Sequence, residues 1–447
     1  MQTLENFLTQ VNNLVWGVPL LILLFGTHIF LTIKLKFIQK YLVTAIKISF
    51  SKNKEGKGDI SQFGAVTTAL AATIGTGNIV GVSTAIASGG PGAVLWMWLT
   101  GVFGIATKYS EALLSVKYRT TTENGLMAGG PMYVLEKGMN NKFLAVLFAA
   151  FTSVTAFGIG NMVQANSISH LLHDTFNIPS FITGIILAFL TAIVIIGGIK
   201  SIAKVCERLV PFMAIFYIIG CMILLIINYQ TIPQSIYIII KSAFTGHAVI
   251  GGFIGASFKE AIRFGIARGL FSNESGLGSA PIVAAAAQTK NPVRQALVSS
   301  TGTFWDTVVV CAFTGLVIVN SYEWIKGYDG AILTKQAFSD IPFIGPILLT
   351  VGLLTFVFST ILGWSYYGEK AIEYLFGQKF IKTYRWLWVI FVFIGSVMTL
   401  NIVWSFADIT NALMALPNLV SLIFLNKIII NETKKYLWDG NIDLEEY

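Results

Sequence analysis

The chain has 447 residues, 55% of them hydrophobic and only 12% charged, with a mean hydropathy of +0.72. A soluble domain carries about a quarter charged residues, so the composition excludes an ordinary soluble protein and leaves a polytopic membrane protein. The net charge of +8 does not point to nucleic acid, because 23 of the 30 Lys and Arg fall in alternate loops that would share one side of a membrane.

In chain order, the first predicted span is Leu14 to Ile33, followed by the densest basic stretch, Lys34 to Lys57. The positive-inside rule then puts the N-terminus outside. The first thirteen residues contain Glu5 but no Lys or Arg, so no cleavable signal is expected. The second span, Phe63 to Ser88, holds Gly75-Thr76-Gly77-Asn78 at its centre, the poorest helix-forming stretch in it. Spans three to six are predicted at Ala93–Val116, Phe143–Leu172, Phe181–Gly198 and Leu209–Ile227. The region Ser235 to Gln288 contains an apolar piece, a glycine-rich piece (Gly251, Gly252, Gly255), a charged helical piece and then Phe271 to Gly278. It reads as a second discontinuous span, broken at Phe271–Gly278, with an outer limb too charged for lipid and an Ala-rich inner limb, Ser279 to Gln288. Spans eight to eleven are expected at Ala296–Val319, Ile344–Tyr366, Trp386–Val403 and Ile409–Leu425, which places the C-terminus inside.

Backbone that unwinds at bilayer depth has no partner in lipid, so each break must be buried in protein or line a wet cavity. Each break opens a block of five spans, and five is odd, so the second block must be inverted relative to the first. Interrupted helices at matching places in inverted halves point to a secondary-transporter site. The organisation read from this is residues 1–60 (first helix and basic loop), 61–228 (first repeat), 229–428 (second, inverted repeat) and 429–447 (tail).

Freed N–H groups at Gly75–Asn78 suit a carboxylate, and freed carbonyls suit a cation. At the second break Asn273 and free carbonyls suit an ammonium, with Phe271 as a wall. Gln164, beside Gly160, Asn161 and Asn166, offers either an interhelical hydrogen bond or a substrate contact. Thr355, Ser359 and Thr360 read as one hydroxyl face, either a neutral oxygen cage for Na⁺ or ordinary back-bonding, and Trp364 one turn on either closes the pocket or packs. Glu274 either pairs with Arg268 or another cation, or serves coupling. Asp306 and Glu111 are intramembrane acids and so functional candidates, with Lys108 three residues before Glu111 as its structural partner. Cys206, Cys221 and Cys311 have no paired spacing and read as small core residues; His170 and His173 are too isolated for a metal site. No nucleotide loop, metal-ligand cluster or activated nucleophile supports an enzyme, and two unlike breaks in one chain do not suit a channel filter.

The stretches TALAATIGTGNIVGV (68–82), GGPGAVLWMWLTGVFGIATKY (89–109), GGPMYVLEKG (129–138), GNMVQANS (160–167), RGLFSNESGLGSAP (268–281), ILGWSYYGEKA (361–371) and ALMALPNL (412–419) resemble the alanine or glycine:cation symporter family. The departures are Leu95 where the family usually has Phe, and Gly101 and Ser275 where Ala is usual. The resemblance implies an all-α membrane protein of eleven spans, a leucine-transporter-type 5+5 inverted repeat preceded by one extra helix. It implies import of alanine and glycine coupled to Na⁺, with no other cofactor; H⁺ coupling is the alternative. The substrate contacts it implies are Thr76, Gly77, Asn78, Gln164, Phe271, Asn273, Gly276 and Trp364. The implied sodium site uses carbonyls of Ala71 and Ile74 with Thr355, Ser359 and Thr360.

Overall fold

The computed structural model describes residues 2–51, 56–245, 258–328, 330–339, 341, 344–398 and 401–446. The glycine-rich piece with Gly251, Gly252 and Gly255 lies outside the described residues. Almost everything else is helical: α1 (Gln2–Val15), α2 (Val18–Lys34), α3 (Leu42–Ser49), α4 (Gln62–Thr73), α5 (Gly77–Gly89), α6 (Ala93–Lys117), α7 (Lys142–Phe176), α8 (Ser180–Ile195), α9 (Gly198–Ile227), α10 (Ile232–Thr245), α11 (Phe258–Asn273), α12 (Pro281–Ala284), α13 (Pro292–Asn320), α14 (Gly330–Phe338), α15 (Ile344–Phe376), α16 (Ile381–Val397), α17 (Asn401–Phe424) and α18 (Asn426–Thr433). The strands described are a two-residue hairpin pair, Thr120–Thr121 with Met127–Ala128.

Among the described residues six helices are long and apolar enough to cross a membrane, or eight with two bent pairs counted. The sequence reading of eleven is larger for identifiable reasons. α6 has the length but carries Lys108, Glu111 and Lys117, α8 has only 16 residues, and the second break leaves no long inner limb. On α8 and α9 the side chains of Phe181, Ile185, Phe189, Phe212, Ile215 and Ile226 stand exposed, an apolar belt that only lipid satisfies.

Three boundaries differ from expectation. The first span begins at Val18 rather than Leu14, because Gly17 is extended and Pro19 starts a new helix, leaving α1 as a separate element against α17. The basic loop after α2 contains a helix of its own, α3, bent 67° away. The Ala-rich inner limb is helical only over Pro281–Ala284, although alanine favours helix. Its carbonyls are taken by tertiary partners: Arg119 donates to Ala285 O (3.1 Å) and Ala287 O (2.9 Å), and Asp59 N–H to Ala286 O (2.7 Å).

α4 ends at Thr73 and α5 leaves at 54° to it. Three wide π turns punctuate the helices around this bend, at Gly77–Gly81, Gly158–Met162 and Phe304–Cys311. Such turns are rare and concentrate at functional sites. Here they fall beside Asn78, Gln164 and Asp306.

Candidate functional site

Ile74 is extended (φ −76°, ψ 94°), so the chain leaves the helix between Thr73 and Thr76. The Gly75 N–H, which in a continuous helix would bond Ala71 O, donates instead to Asn78 Oδ1 at 2.9 Å. The carbonyl of Ala71 is thereby released, and that of Ile74 accepts from Thr360 Oγ1 at 3.2 Å. Thr76 N–H faces Gln164 Oε1 at 3.4 Å, and Thr76 Oγ1 is buried with no partner among the described residues.

The close approaches explain the glycines. A Cβ on Gly75 would stand 2.5 Å from Thr360 Oγ1 and 3.3 Å from Gln164 Oε1. One on Gly77 would stand 3.2 Å from the Phe271 ring, and one on Gly160 would overlap the Trp364 side chain at 2.3 Å. The first break is therefore held between α15, α7 and α11. Thr76, Gly77, Asn78, Gln164, Phe271, Ile74 and Thr360 meet there. Trp364 packs on Gly160 and Tyr367. Asn273 caps its own turn, Oδ1 accepting from Ser275 N–H at 2.9 Å, and its buried Nδ2 has no partner among the described residues.

The second break runs through left-handed residues, Glu274 (φ 56°), Gly276 (φ 89°) and Gly278 (φ 85°), which only glycine adopts without strain at the last two. The backbone of its two left-handed glycines is already engaged. Glu111 Oε1 accepts from Gly276 N–H (3.0 Å), Gly278 N–H (3.1 Å) and Asn418 Nδ2 (2.6 Å), while Asn418 also donates to Gly276 O (2.9 Å). Gly276 thus faces Leu24, His28 and Leu419, away from the first break, and its N–H and carbonyl are not open to a ligand in this conformation.

Three further readings change. Thr355 is five residues from Thr360, which rotates it by about 140° around the helix. Its hydroxyl returns to Val351 O and Gly352 O, while Ser359 bonds Phe356 O and touches Met213 Sδ; of the three, Thr360 is the one that reaches the break. Glu274 does not pair with Arg268. Its carboxylate accepts from Ser279 Oγ at 2.6 Å, while Arg268 shares a polar cavity with Asp408, Asn12 and Trp16 at the α11 side of Phe271. Lys108 makes no hydrogen bond with Glu111.

Asp306, singled out only as an intramembrane acid, proves to be the anchor between the breaks. It accepts from Asn78 Nδ2 (2.7 Å), Ser272 Oγ (2.9 Å) and Thr307 Oγ1 (2.7 Å). Cys311, read as a packing residue, touches Asn78 Nδ2 and Ser272 Oγ at 3.3 and 3.2 Å. Nothing in the local spacing of α13 announces these contacts, which join positions more than 200 residues apart for Asn78.

The model of the sodium:alanine symporter family matches residues 1–445. The chain belongs to that family. It is 50% identical to the sodium/alanine symporter AgcS of Methanococcus maripaludis over 442 residues, covering 96% of this chain and 97% of the relative. It is 52% identical to an uncharacterized transporter of Haemophilus influenzae (97% and 96% covered), and 35% identical to the probable sodium/glutamine symporter GlnT of Bacillus subtilis (97% and 91% covered). The structure of MhsT in complex with L-phenylalanine superposes with a TM-score of 0.58, covering 88% of this chain and 94% of that one at 16% identity. A manganese transporter of Eremococcus coleocola gives 0.55 (88% and 85% covered, 12% identity). These likenesses show a leucine-transporter-type fold. The family is one of membrane transporters, not enzymes, and the chain is an amino acid symporter.

Proposed function

We propose that this symporter couples Na⁺ to the uptake of alanine and glycine by alternating access, with the substrate seated at the Gly75–Asn78 break. The observation that carries this is the redirected Gly75 N–H, which leaves the Ala71 carbonyl free one turn from the Ile74 carbonyl and the Thr360 hydroxyl. Neutral oxygens at a half-helix C-terminus suit Na⁺, while the N-terminus of α5, where the Thr76 N–H reaches Gln164 only at 3.4 Å and the Thr76 hydroxyl has no partner among the described residues, suits a carboxylate. Phe271 packed on Gly77 and Trp364 packed on Gly160 crowd the break, which favours a substrate as small as the alanine for which a half-identical relative is named. Asn273, with its unpartnered Nδ2, and Gln164 complete the polar wall. Gly276 enters only if the Glu111 bonds release during transport, and Ser359 joins Thr360 only on rotating from Met213.

The same reading has eleven spans arranged as residues 61–228 and an inverted 229–428, preceded by an extra span within 1–60 and followed by the tail 429–447, in the plasma membrane with the N-terminus outside. Uptake of labelled alanine into proteoliposomes tests the coupling. Accumulation driven by an inward Na⁺ gradient supports it; accumulation driven by a pH gradient without Na⁺ favours the proton-coupled alternative, with Asp306 and Glu274 as its carriers.

A further inference from the structure

Lys108 on α6 is 3% exposed, and its ammonium has no hydrogen-bond partner among the described residues. It lines a cavity of about 10 Å³, the size of one water, together with Ala69, Thr73, Ala280, Pro281 and Ser299. That places it between the last turn of α4 and the short helix that follows the second break. The end of α4 carries the negative pole of its half-helix, and the Ala71 and Ile74 carbonyls belong to the same turn.

Four ionisable groups lie within electrostatic range of Lys108: Glu111 on its own helix, Glu274 in the second break, Asp306 on α13 and His28 on α2. Each acid is committed to direct bonds, Glu111 to Gly276, Gly278 and Asn418, Glu274 to Ser279, and Asp306 to Asn78, Ser272 and Thr307. Lys108 alone of this group acts through its field rather than through contact. When all four are ionised, three carboxylates and one ammonium sum to −2, a net negative charge that a bound cation offsets.

We propose that Lys108 sets the affinity of the coupling cation, as a fixed internal counter-charge that keeps the negative chamber from holding that cation too tightly to release. The proposal rests on the Na⁺ reading above. Removing one unit charge at this depth, in a medium of low effective dielectric, changes cation affinity on the order of tenfold or more.

The test is saturable ²²Na⁺ binding to the purified full chain, with choline as the balancing cation. Lys108→Gln is expected to tighten Na⁺ binding on the order of tenfold, Lys108→Arg to leave it unchanged, and Glu274→Gln to weaken it by a similar factor. The opposite signs separate a field effect from damaged packing, which would weaken binding in both neutral variants. Lys108→Gln binding Na⁺ no better than the parent chain overturns the proposal, as does Glu274→Gln binding it equally well or better. Should Lys108→Gln fail to fold, the Lys108→Arg and Glu274→Gln pair still decides. A parent chain that binds alanine but no Na⁺ refutes the sodium reading itself, a result separate from any of these.

Discussion

Replacing Asn78 by Ala removes both faces of one amide: the acceptor for Gly75 N–H at 2.9 Å and the donor to Asp306 Oδ1 at 2.7 Å. Both partners are fully buried, so neither recovers a water. An orphaned buried N–H costs about 1–3 kcal/mol, and a lost bond to an ionised group about 1.5–3 kcal/mol. The sum, roughly 3–6 kcal/mol, is a large share of the ~5–15 kcal/mol that holds a typical protein folded. Thermal unfolding of Asn78→Ala, Asp306→Asn and the double variant, in one detergent, separates the two losses. The expected coupling between the two positions is about 1.5–3 kcal/mol, with alanine uptake lost in Asn78→Ala. Strictly additive single-variant effects, or an Asn78→Ala protein as stable as its parent, would refute the claim that Asp306 holds the first break through this amide.

Thr360→Val is expected to raise the Na⁺ concentration for half-maximal uptake on the order of tenfold, while Thr355→Val leaves it unchanged, because Thr360 alone of these two reaches Ile74 O. Equal shifts in the two would undo the assignment. Gly160→Ala drives a Cβ to 2.3 Å from Trp364, so a loss of about 1–3 kcal/mol of stability and most uptake is expected; Trp364→Phe in the same chain should restore neither, because Phe keeps the Cβ and Cγ that are overlapped. Glu111→Ala orphans two buried N–H groups and takes one of the two acceptors of the Asn418 amide, and should lower stability by at least about 2 kcal/mol, with Glu111→Gln milder because it still accepts hydrogen bonds. Thermal melts that rank Gln as the more harmful change would show that charge, not bonding, is what Glu111 supplies to the second break.

Much of this arrangement was legible in the sequence because it is written in local rules. Gly-Thr-Gly-Asn cannot continue an apolar helix without cost, and Phe271–Gly278 repeats the interruption about 200 residues later. The residues that meet at the first break, Asn78, Gln164, Phe271 and Thr360, stand out in the sequence by residue type and position, and the fold brings them together. What could not be read depended on rotation and on long-range partners. Thr355 and Thr360 look like neighbours in a string but point about 140° apart on a helix. Glu111 looked like half of an i,i+3 pair with Lys108, yet its oxygen is claimed by backbone 165 residues away. Gly276 looked like a binding glycine, and that same carboxylate is what closes it. The charged limb of α11 was recognised as unfit for lipid, but only the fold shows Arg268 facing Asp408 rather than Glu274.

The central claim is that Na⁺ drives alanine through the Gly75–Asn78 break. Its most direct measurement is labelled alanine accumulation in proteoliposomes under an imposed Na⁺ gradient at equal pH on both sides, with a second set under a pH gradient in choline. The account predicts accumulation above equilibrium in the first set, none in the second, and a raised Na⁺ requirement in Thr360→Val. Accumulation in choline driven by the pH gradient, with no response to Na⁺, would contradict it.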